Sequence, residues 1–258
     1  MKKPFFEIKN KVKLHHGNCL DVLKEYDDDF FDCIFADPPY KLSNNGITCK
    51  SGKMTSVNKA KWDKSKGFEE DLKFHREWIS ECKRVLKPEG TIWISGTYHS
   101  IYQCGFTLQS LGFEILNDIC WFKPNAPPNI SCRYFTSSHE TLIWAKKSIK
   151  AKHHFNYHEM KNGTWAEDKL KNPKTQMRSV WSITAPKKSE KKFGNHPTQK
   201  PLDLLKRIIL SSTKKGDVIL DPFSGSSTTG VAAVMLERRF VGVEREKKFL
   251  EVSKKRLL

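Results

Sequence analysis

The stretch that decides the fold is Val218-Ile-Leu-Asp-Pro-Phe-Ser-Gly-Ser-Ser-Thr-Thr-Gly230, which runs from an apolar strand through a turn of small residues into a helix. Small residues at such a turn let a ligand approach the backbone, and the start of the following helix favours an anion. A phosphate-binding loop is excluded, because Val231 and Ala232 stand where its lysine and its serine or threonine are required. The stretch therefore predicts a cradle for a nucleotide-like ligand.

The next strand along the chain ends in an acid, in Phe240-Val-Gly-Val-Glu244. A carboxylate at that position binds the two ribose hydroxyls in folds of this kind. An acid at a strand end also commonly caps the following helix, and Glu244 precedes a predicted helix. With Asp221 and Phe223 upstream, we favour the ribose role.

Outward from this stretch, short apolar runs alternate with helical patterns, which predicts an α/β fold with a parallel sheet wound by crossover helices. The predicted strands are residues 12–15, 31–36, 91–95, 113–121, 140–145, 218–220 and 240–243. The predicted helices are residues 68–86, 201–212, 226–237 and 246–257. Two long stretches, 41–67 and 125–196, break this alternation, and connections of such length in a compact domain are usually functional or disordered.

The turn Asp37-Pro38-Pro39-Tyr40 follows a buried apolar strand, so it leaves the carboxyl edge of the sheet, where ligands bind in open α/β folds. Two consecutive prolines fix φ and remove two N–H donors, which gives a stiff turn whose carbonyls remain able to accept. The bare tetrapeptide is more often only a strand-ending turn, but the neighbouring motifs favour a functional one. A third motif, Asn195-His-Pro-Thr-Gln-Lys-Pro201, precedes a helix, where polar groups at 198–200 would meet an anion.

Lysine and arginine number 46 against 29 acidic residues, a formal net charge of +17, which indicates a polyanionic partner such as nucleic acid. Basic residues between 146 and 200 are interleaved with Trp165 and Trp181, which suits a surface that binds phosphates and packs on bases, or a merely solvated face. The seven cysteines include no C-x-x-C pair, so we expect a reducing cytoplasm and no metal. No apolar run indicates secretion or a membrane span.

The order of these motifs resembles that of the beta group of amino-methyltransferases from restriction-modification systems, over essentially the whole chain. That order is D-P-P-Y, then H-P-T-Q-K-P, then D-P-F-S-G-S-S-T-T-G, then V-G-V-E. The runs FADPPYKLSNNGI, WISG, PNISCRYFTSSHETLIWAKK and HPTQKP are similar to those of the DpnA-like type, which modifies the adenine of GATC. The resemblance implies an S-adenosylmethionine-dependent DNA adenine-N6 methyltransferase.

The resemblance also implies a Rossmann-like, seven-stranded methyltransferase sheet in circularly permuted motif order, with an inserted target-recognition region. The chain would be a single domain over residues 1–258. Within it, residues 1–125 would form the catalytic half, 126–195 the target-recognition region and 196–258 the cofactor-binding half.

Methylation of an aromatic amine requires acceptors for both N–H groups, because the nitrogen lone pair is delocalised into the ring. The Asp37 carboxylate and the Pro38 carbonyl would accept them, Pro39 would stiffen the turn, and Tyr40 would stack on a base flipped out of the duplex. By position in the family's motifs, the cofactor-binding residues would be Asp221, Phe223, Gly225, Ser227, Thr228, Glu244, Thr198, Lys200, Asn18 and Cys19. Ser227 stands where the family usually has glycine. If the backbone there has a positive φ, serine costs about 1 kcal/mol and cofactor affinity would fall.

We expect the stretches 41–67 and about 130–195 to face DNA, with Lys41, Asn44, Arg133 and Arg178 as binding residues. The expected partner is double-stranded DNA in the bacterial cytoplasm, at the nucleoid, with single strands and a homodimer left open. Cytosine-N4 methylation is the alternative in the same chemistry, although aspartate at position 37 favours adenine. A non-catalytic nucleic-acid-binding protein with a methyltransferase fold is the alternative from another class. Cytosine-C5 methylation is excluded, because no Pro-Cys pair supplies its thiolate.

Overall fold

The structure is a computed structural model of the chain. It describes residues 3–41, 47–50, 53–56, 63–129, 132–165, 168, 171–172, 174–194 and 196–258. The strands are β1 (Phe6–Ile8), β2 (Val12–His16), β3 (Phe31–Ala36), β4 (Ile47–Lys50), β5 (Lys53–Ser56), β6 (Leu86–Gly96), β7 (Glu114–Phe122), β8 (His139–Lys146), β9 (Val180–Ser182), β10 (Val218–Asp221) and β11 (Arg239–Glu244). The helices are α1 (Cys19–Leu23), α2 (Phe68–Val85), α3 (Ile101–Ser110), α4 (Tyr157–Asn162), α5 (Leu202–Ser212), α6 (Thr228–Met235) and α7 (Lys247–Leu257).

One large sheet runs in the order β1-β2-β11-β10-β3-β6-β8-β7-β9. All seven predicted strands lie in it, and two three-residue strands, β1 and β9, extend its edges. The prediction of a parallel sheet is confirmed from β2 to β6. It is wrong for β8, which runs antiparallel to both of its neighbours, β6 and β7. The described part of the link from β7 to β8 contains no helix, and without a crossover helix the chain returns antiparallel.

Two hydrophobic cores lie on the two faces of the sheet. Strand β3 contributes to both, because Ile34 and Ala36 pack into one core and Cys33 and Phe35 into the other. A parallel strand buried on both faces needs such a continuous apolar run. The resulting rigid centre carries the D-P-P-Y turn on its carboxyl end.

Several described elements differ from the sequence-based expectation, including the short helix α4, which is not among the predicted helices. The stretch 41–67, expected to be irregular, contains the antiparallel hairpin of β4 and β5. The short helix α1 starts where the Asn18 side chain accepts a hydrogen bond from Leu20 N at 3.2 Å, and it was not predicted. The helix α3 was also not predicted, since Gly105 lies in its middle. Among the helices of the described residues, none is long and apolar enough to cross a membrane.

Candidate active site

The three sequence motifs meet at one edge of the sheet. Cys33 pairs with Ile219 and Asp221 pairs with Gly242, so β3, β10 and β11 end side by side. A cavity of about 850 Å³ opens there. Its walls include Asn18, Cys19, Asp37, Pro38, Pro39, Tyr40, Lys41, Phe74, His196, Thr198, Phe223, Glu244 and Phe249.

The Glu244 carboxylate forms one wall of this cavity and also organises the backbone around it. One oxygen accepts from Gly225 N at 2.9 Å and the other from Glu246 N at 2.7 Å. Each carboxylate oxygen has a second lone pair, so neither contact prevents binding of a ribose hydroxyl. Burial raises the pKa of Glu244. The capping role and the ribose role are therefore compatible at this residue.

Asp221 stabilises the turn between β10 and α6. Its two carboxylate oxygens accept from Phe223 N at 3.0 Å and from the Thr229 hydroxyl at 2.6 Å, and its side chain is buried. Burial raises its pKa to about 7. These contacts hold the Phe223 ring toward the cavity, against Trp78 at 5.3 Å between ring centroids. Asp221 itself is not among the residues that line the cavity.

Gly225 adopts a left-handed conformation with φ of 50°. A Cβ there would lie 3.0 Å from His196 Nε2, so glycine lets the H-P-T-Q-K-P segment pack against the turn. Ser227 is also left-handed, with φ of 55°. The strain expected for serine at this position depends on a positive φ, and the structure confirms that φ. Its hydroxyl donates to Ser253 at 2.9 Å behind the turn. Thr228 accepts from Arg256 at 2.9 Å, so neither Ser227 nor Thr228 lines the cavity.

Asn18 and Cys19 lie opposite this turn. The Asn18 side chain caps α1, and both residues line the cavity. Gly17 N donates to Glu244 O at 3.0 Å, which ties this segment to the end of β11. Burial raises the pKa of Cys19 to about 12, so its sulfur is held as a thiol. We find Asn18 and Cys19 where a ligand bound against Glu244 would touch them.

The Asp37 carboxylate is held on both oxygens. Oδ1 accepts from the Tyr40 hydroxyl at 2.7 Å, and Oδ2 accepts from Lys200 Nζ at 2.6 Å. Lys200 is 6% exposed and its ammonium also lies 5.0 Å from the centre of the Tyr40 ring. Thr198 lines the cavity, whereas Lys200 does not. Lys200 therefore contacts Asp37 of the D-P-P-Y turn and does not line the cavity in which it was expected to bind the cofactor.

Glu140 belongs to the same cluster, and the sequence analysis did not identify it. Its Oε2 accepts from the Tyr40 hydroxyl at 2.9 Å and lies 3.6 Å from Lys200 Nζ. Its Oε1 accepts from Lys123 Nζ. The only signal in the sequence is a single acid in the otherwise apolar run of β8.

The charges of this cluster balance, with two carboxylates and two ammonium groups. Burial raises the pKa of Asp37, although Lys200 acts against it. Burial would also raise the pKa of Glu140, but the charges of Lys200 and Lys123 outweigh it and lower the pKa to about 2. The two carboxylates in turn raise the pKa of Lys200 in spite of its burial. Glu140 is thus a fixed negative charge beside the D-P-P-Y turn.

The predicted DNA-binding residues have different surroundings. Lys41 is left-handed, with φ of 62°, and its ammonium lies 3.4 Å from Asp71 with the side chain 12% exposed. That ion pair holds it against the cavity wall instead of on an open surface. Arg133 and Arg178 are exposed. Asn44 lies outside the described residues.

Trp165 is half-buried, and Trp181 is 3% exposed, so the expectation that Trp181 packs on bases is wrong. Their rings lie on the Arg207 guanidinium, with centroids at 4.8 and 5.0 Å. Arg207 also forms a buried ion pair with Asp168 at 2.8 Å. The two tryptophans therefore pack on α5 through Arg207, Trp165 from the end of the 132–165 range and Trp181 from β9. Within the described ranges, no group of three His, Cys, Asp or Glu side chains is arranged to hold a metal ion.

Comparisons with known proteins agree with this geometry. A family model described as DNA methylase matches residues 31–255. The chain is 51% identical to the type II methyltransferase M2.DpnII of Streptococcus pneumoniae, over all of this chain and 93% of that protein. The crystal structure of an M1.HpyAVI–SAM complex is similar with a TM-score of 0.67 and 28% identity, over 96% of this chain and all of that one. The PvuII DNA methyltransferase, titled cytosine-N4-specific, shares the fold with a TM-score of 0.76 at 18% identity, over all of this chain and 89% of that one.

Proposed function

Because this chain belongs to the DNA methylase family, as a site-specific, S-adenosylmethionine-dependent DNA methyltransferase of the restriction-modification type, we propose that it methylates N6 of adenine within GATC. The proposal that the methyl acceptor is an exocyclic amine rests on the D-P-P-Y turn, whose Asp37 lines the cavity. Aspartate at that position supports adenine over cytosine. The GATC site is supported by the resemblance to the DpnA-like type and by the similarity to M2.DpnII.

The described residues fit S-adenosylmethionine. We assign the ribose hydroxyls to Glu244, whose carboxylate is already oriented by two backbone amides. Phe223, Asn18 and Cys19 would surround the adenine ring, and Thr198 would lie near the methionine part, since all four line the cavity. Asp221, Gly225, Ser227 and Thr228 would act by shaping the turn. When bound, the cofactor supplies an electrophilic methyl group.

The catalytic turn would make the target amine a nucleophile. Asp37 Oδ1 would accept one N6 hydrogen and the Pro38 carbonyl the other, which localises the lone pair on nitrogen. Lys200 holds the second Asp37 oxygen at 2.6 Å, so the carboxylate keeps one orientation. The Tyr40 ring would stack on the flipped base. Removing that base from the duplex stack costs about a few kcal/mol, and stacking on Tyr40 would offset this cost.

DNA would approach over the 126–195 region and the 41–67 stretch. The exposed Arg133 and Arg178 are placed to meet it, and the net charge of +17 favours a duplex. The division into a catalytic half, a recognition region and a cofactor-binding half stays a prediction. We also propose that the protein acts on nucleoid DNA in the cytoplasm, with double strands as its main substrate and single strands as a second.

A homodimer is supported by an exposed aromatic surface on and next to α3. Tyr98, Tyr102 and Phe106 are 57%, 75% and 60% exposed. Exposed aromatic patches of this kind commonly mark interaction sites. Sedimentation of the unaltered protein beside Tyr102→Ser/Phe106→Ser tests it: a dimer that the double variant loses supports this surface, and a monomer in both excludes it.

The proposed reaction is tested by incubating the protein with S-adenosylmethionine and unmethylated plasmid, then identifying the methylated nucleoside by mass spectrometry. We expect N6-methyladenine, located at GATC by sequencing. Asp37→Ala should lose the product while cofactor binding persists, and Asp118→Ala, an exposed acid on β7, should retain it. Detection of N4-methylcytosine would identify cytosine instead of adenine as the substrate. Cofactor binding without any methylated base would favour a binding-only role.

A further inference from the structure

The Tyr40 hydroxyl lies between two carboxylates and a serine. Its oxygen is 2.7 Å from Asp37 Oδ1, 2.9 Å from Glu140 Oε2 and 2.8 Å from the Ser95 hydroxyl. Tyr40 is 7% exposed and Ser95 is fully buried, so water does not compete for these contacts. A hydroxyl has one proton, so it can donate to only one of the two carboxylates at a time.

Among the arrangements of hydroxyl protons that fit these heavy-atom positions, two differ in the carboxylate that Tyr40 and Ser95 serve. In the first, Tyr40 donates to Asp37 and Ser95 donates to Glu140 at 3.4 Å. In the second, Tyr40 donates to Glu140 and Ser95 donates to Tyr40, which leaves Asp37 Oδ1 open on that side. The two differ by rotation of two hydroxyl groups, with a slight separation of the Tyr40 oxygen from Asp37 Oδ1 when no proton lies between them.

We propose that Glu140 is a positioning residue that takes the Tyr40 hydroxyl proton when the amine of the target base donates to Asp37. The proposal rests on the proposed use of Asp37 as the acceptor of that amine. Before the base enters, the Tyr40 hydroxyl satisfies Asp37 Oδ1. Oδ1 has a second lone pair that can accept from the amine. After entry, donation of the Tyr40 hydroxyl to Glu140 leaves Oδ1 the stronger acceptor for the amine, and the buried hydroxyl keeps a partner.

The charges around the cluster support this role for Glu140. Lys123 and Lys200 hold it ionised, and an ionised carboxylate accepts without needing a proton of its own. Lys200 also fixes Asp37 through Oδ2, so the exchange at Oδ1 does not rotate the carboxylate. Asp37 and Glu140 are thus two acceptors of one donor, both fixed in place.

The change Glu140→Gln would remove this second acceptor. With its amide oxygen facing Lys123, the glutamine would present NH₂ to Tyr40 and keep the tyrosine proton on Asp37. A buried donor or acceptor without a partner is costly, so we expect the rate of methylation to fall roughly tenfold or more. The dissociation constants for DNA and for S-adenosylmethionine should change by less than about twofold, since Glu140 is not among the cavity-lining residues.

The decisive experiment is a double-mutant cycle on the full chain with Tyr40→Phe, which keeps the ring and removes the hydroxyl. Single-turnover rates of methylation are measured for the unaltered protein, both single variants and the double variant. We expect Glu140→Gln to cost far less in the Tyr40→Phe background, because no hydroxyl then competes for Asp37. Glu114→Gln is the matched control, since it breaks a strand-to-strand ion pair with Lys146 away from the cavity and should leave the rate unchanged.

Equal losses from Glu140→Gln in the two backgrounds would overturn the proposal, as would an unchanged rate. If Glu140→Gln melts at a much lower temperature, Ser95→Ala replaces it. That variant removes the 2.8 Å donation to Tyr40 of the second arrangement but only the long 3.4 Å contact with Glu140 of the first, so its effect should likewise be smaller when Tyr40 is phenylalanine. The methylated nucleoside is identified in every reaction, so a wrong adenine assignment appears as a different product. A wrong Glu140 proposal appears instead as additive rate losses from the Glu140 and Tyr40 substitutions.

Discussion

At the scale of single residues, Lys200 connects two motifs that lie far apart in the sequence. It comes from H-P-T-Q-K-P and contacts Asp37 at 2.6 Å. Burial raises the pKa of Asp37, and Lys200 opposes that rise. In the proposed reaction the ionised carboxylate accepts the amine, so we expect Lys200 to extend activity to lower pH.

We predict that Lys200→Gln moves the acid limb of the pH profile to higher pH. Without the ammonium, the pKa of Asp37 rises further, so at a given pH less of it is ionised. Glu140 also loses a counter-charge, while Tyr40 stays a neutral donor to Asp37. The measurement is the single-turnover rate of methylation across acid and neutral pH.

Lys187→Gln is the control for this profile, since Lys187 lies 3.7 Å from Asp203 in a pair that is half-exposed. Its acid limb should coincide with that of the unaltered protein. If Lys200→Gln lowers the rate equally at every pH, Lys200 does not act through the ionisation of Asp37.

Ser227 combines a strained backbone with a buried hydrogen bond. Its φ of 55° costs about 1 kcal/mol for a residue with a side chain, and its bond to Ser253 contributes about 1 kcal/mol. We predict that Ser227→Gly leaves the melting temperature nearly unchanged, because the two effects cancel. Ser227→Ala keeps the strain and loses the bond, so it should be less stable by about 1 kcal/mol. A glycine variant much more stable than the unaltered protein would show that the hydrogen bond contributes little.

At the scale of elements, α5 is tied to β9 and to Asp168 by one buried ion pair. Arg207 on α5 is 2% exposed and pairs with Asp168, which is 4% exposed. The Trp165 and Trp181 rings cover the guanidinium. Asp168 also accepts from Ser182 N at 3.3 Å, which connects the pair to β9.

We predict that Arg207→Met destabilises the protein by about 3–5 kcal/mol, because it leaves a buried carboxylate unpaired. Adding Asp168→Leu should recover part of that loss, since the charge is then removed as well. Thermal melting measures both, and limited proteolysis between Trp165 and Trp181 reports release of the segment. Lys215→Met, which breaks an exposed pair with Glu237, should not change the melting temperature. A double variant no more stable than Arg207→Met would contradict the unpaired-charge explanation.

The central elements of the fold could be predicted from the sequence because their signals are local. The apolar runs of β3, β10 and β11 indicate buried strands by themselves, and the small residues after β10 indicate the turn. The edge strands β1 and β9 have three residues each and carry no periodicity. Their pairing depends on the neighbouring strand, which a local pattern does not reveal.

The site could be predicted only in part for a similar reason. Residues named by their motifs, such as Asp37, Glu244 and Thr198, do line the cavity. Glu140 acquires its importance from Lys123 and Lys200, which come from distant parts of the sequence. The tryptophans of the recognition region were interpreted as a base-binding surface, because nothing local shows that Arg207 lies between them.

At the scale of the whole molecule, the net charge of +17 determines how binding responds to salt. Each phosphate contact releases counterions, so the logarithm of the DNA association constant should fall linearly with the logarithm of salt concentration, with a slope of about −0.9 per contact. We predict a steep slope for the unaltered protein and a slope smaller by about one unit for each of Arg133→Ala and Arg178→Ala, if that arginine binds a phosphate. Fluorescence anisotropy of a labelled duplex measures it. A flat profile would contradict a polyanionic partner.

The pairing of β3 with β10 has a consequence for how the enzyme is made. A ribosome releases β3 and the Asp37 turn well before the strand that covers one flank of β3, and before the lysine that holds Asp37, which lies 163 residues further along the chain. Until then, an apolar strand with an unpaired edge is open to proteases and to aggregation. A polypeptide cut short before β10 therefore cannot assemble the cavity, and interrupted translation yields no partly active enzyme.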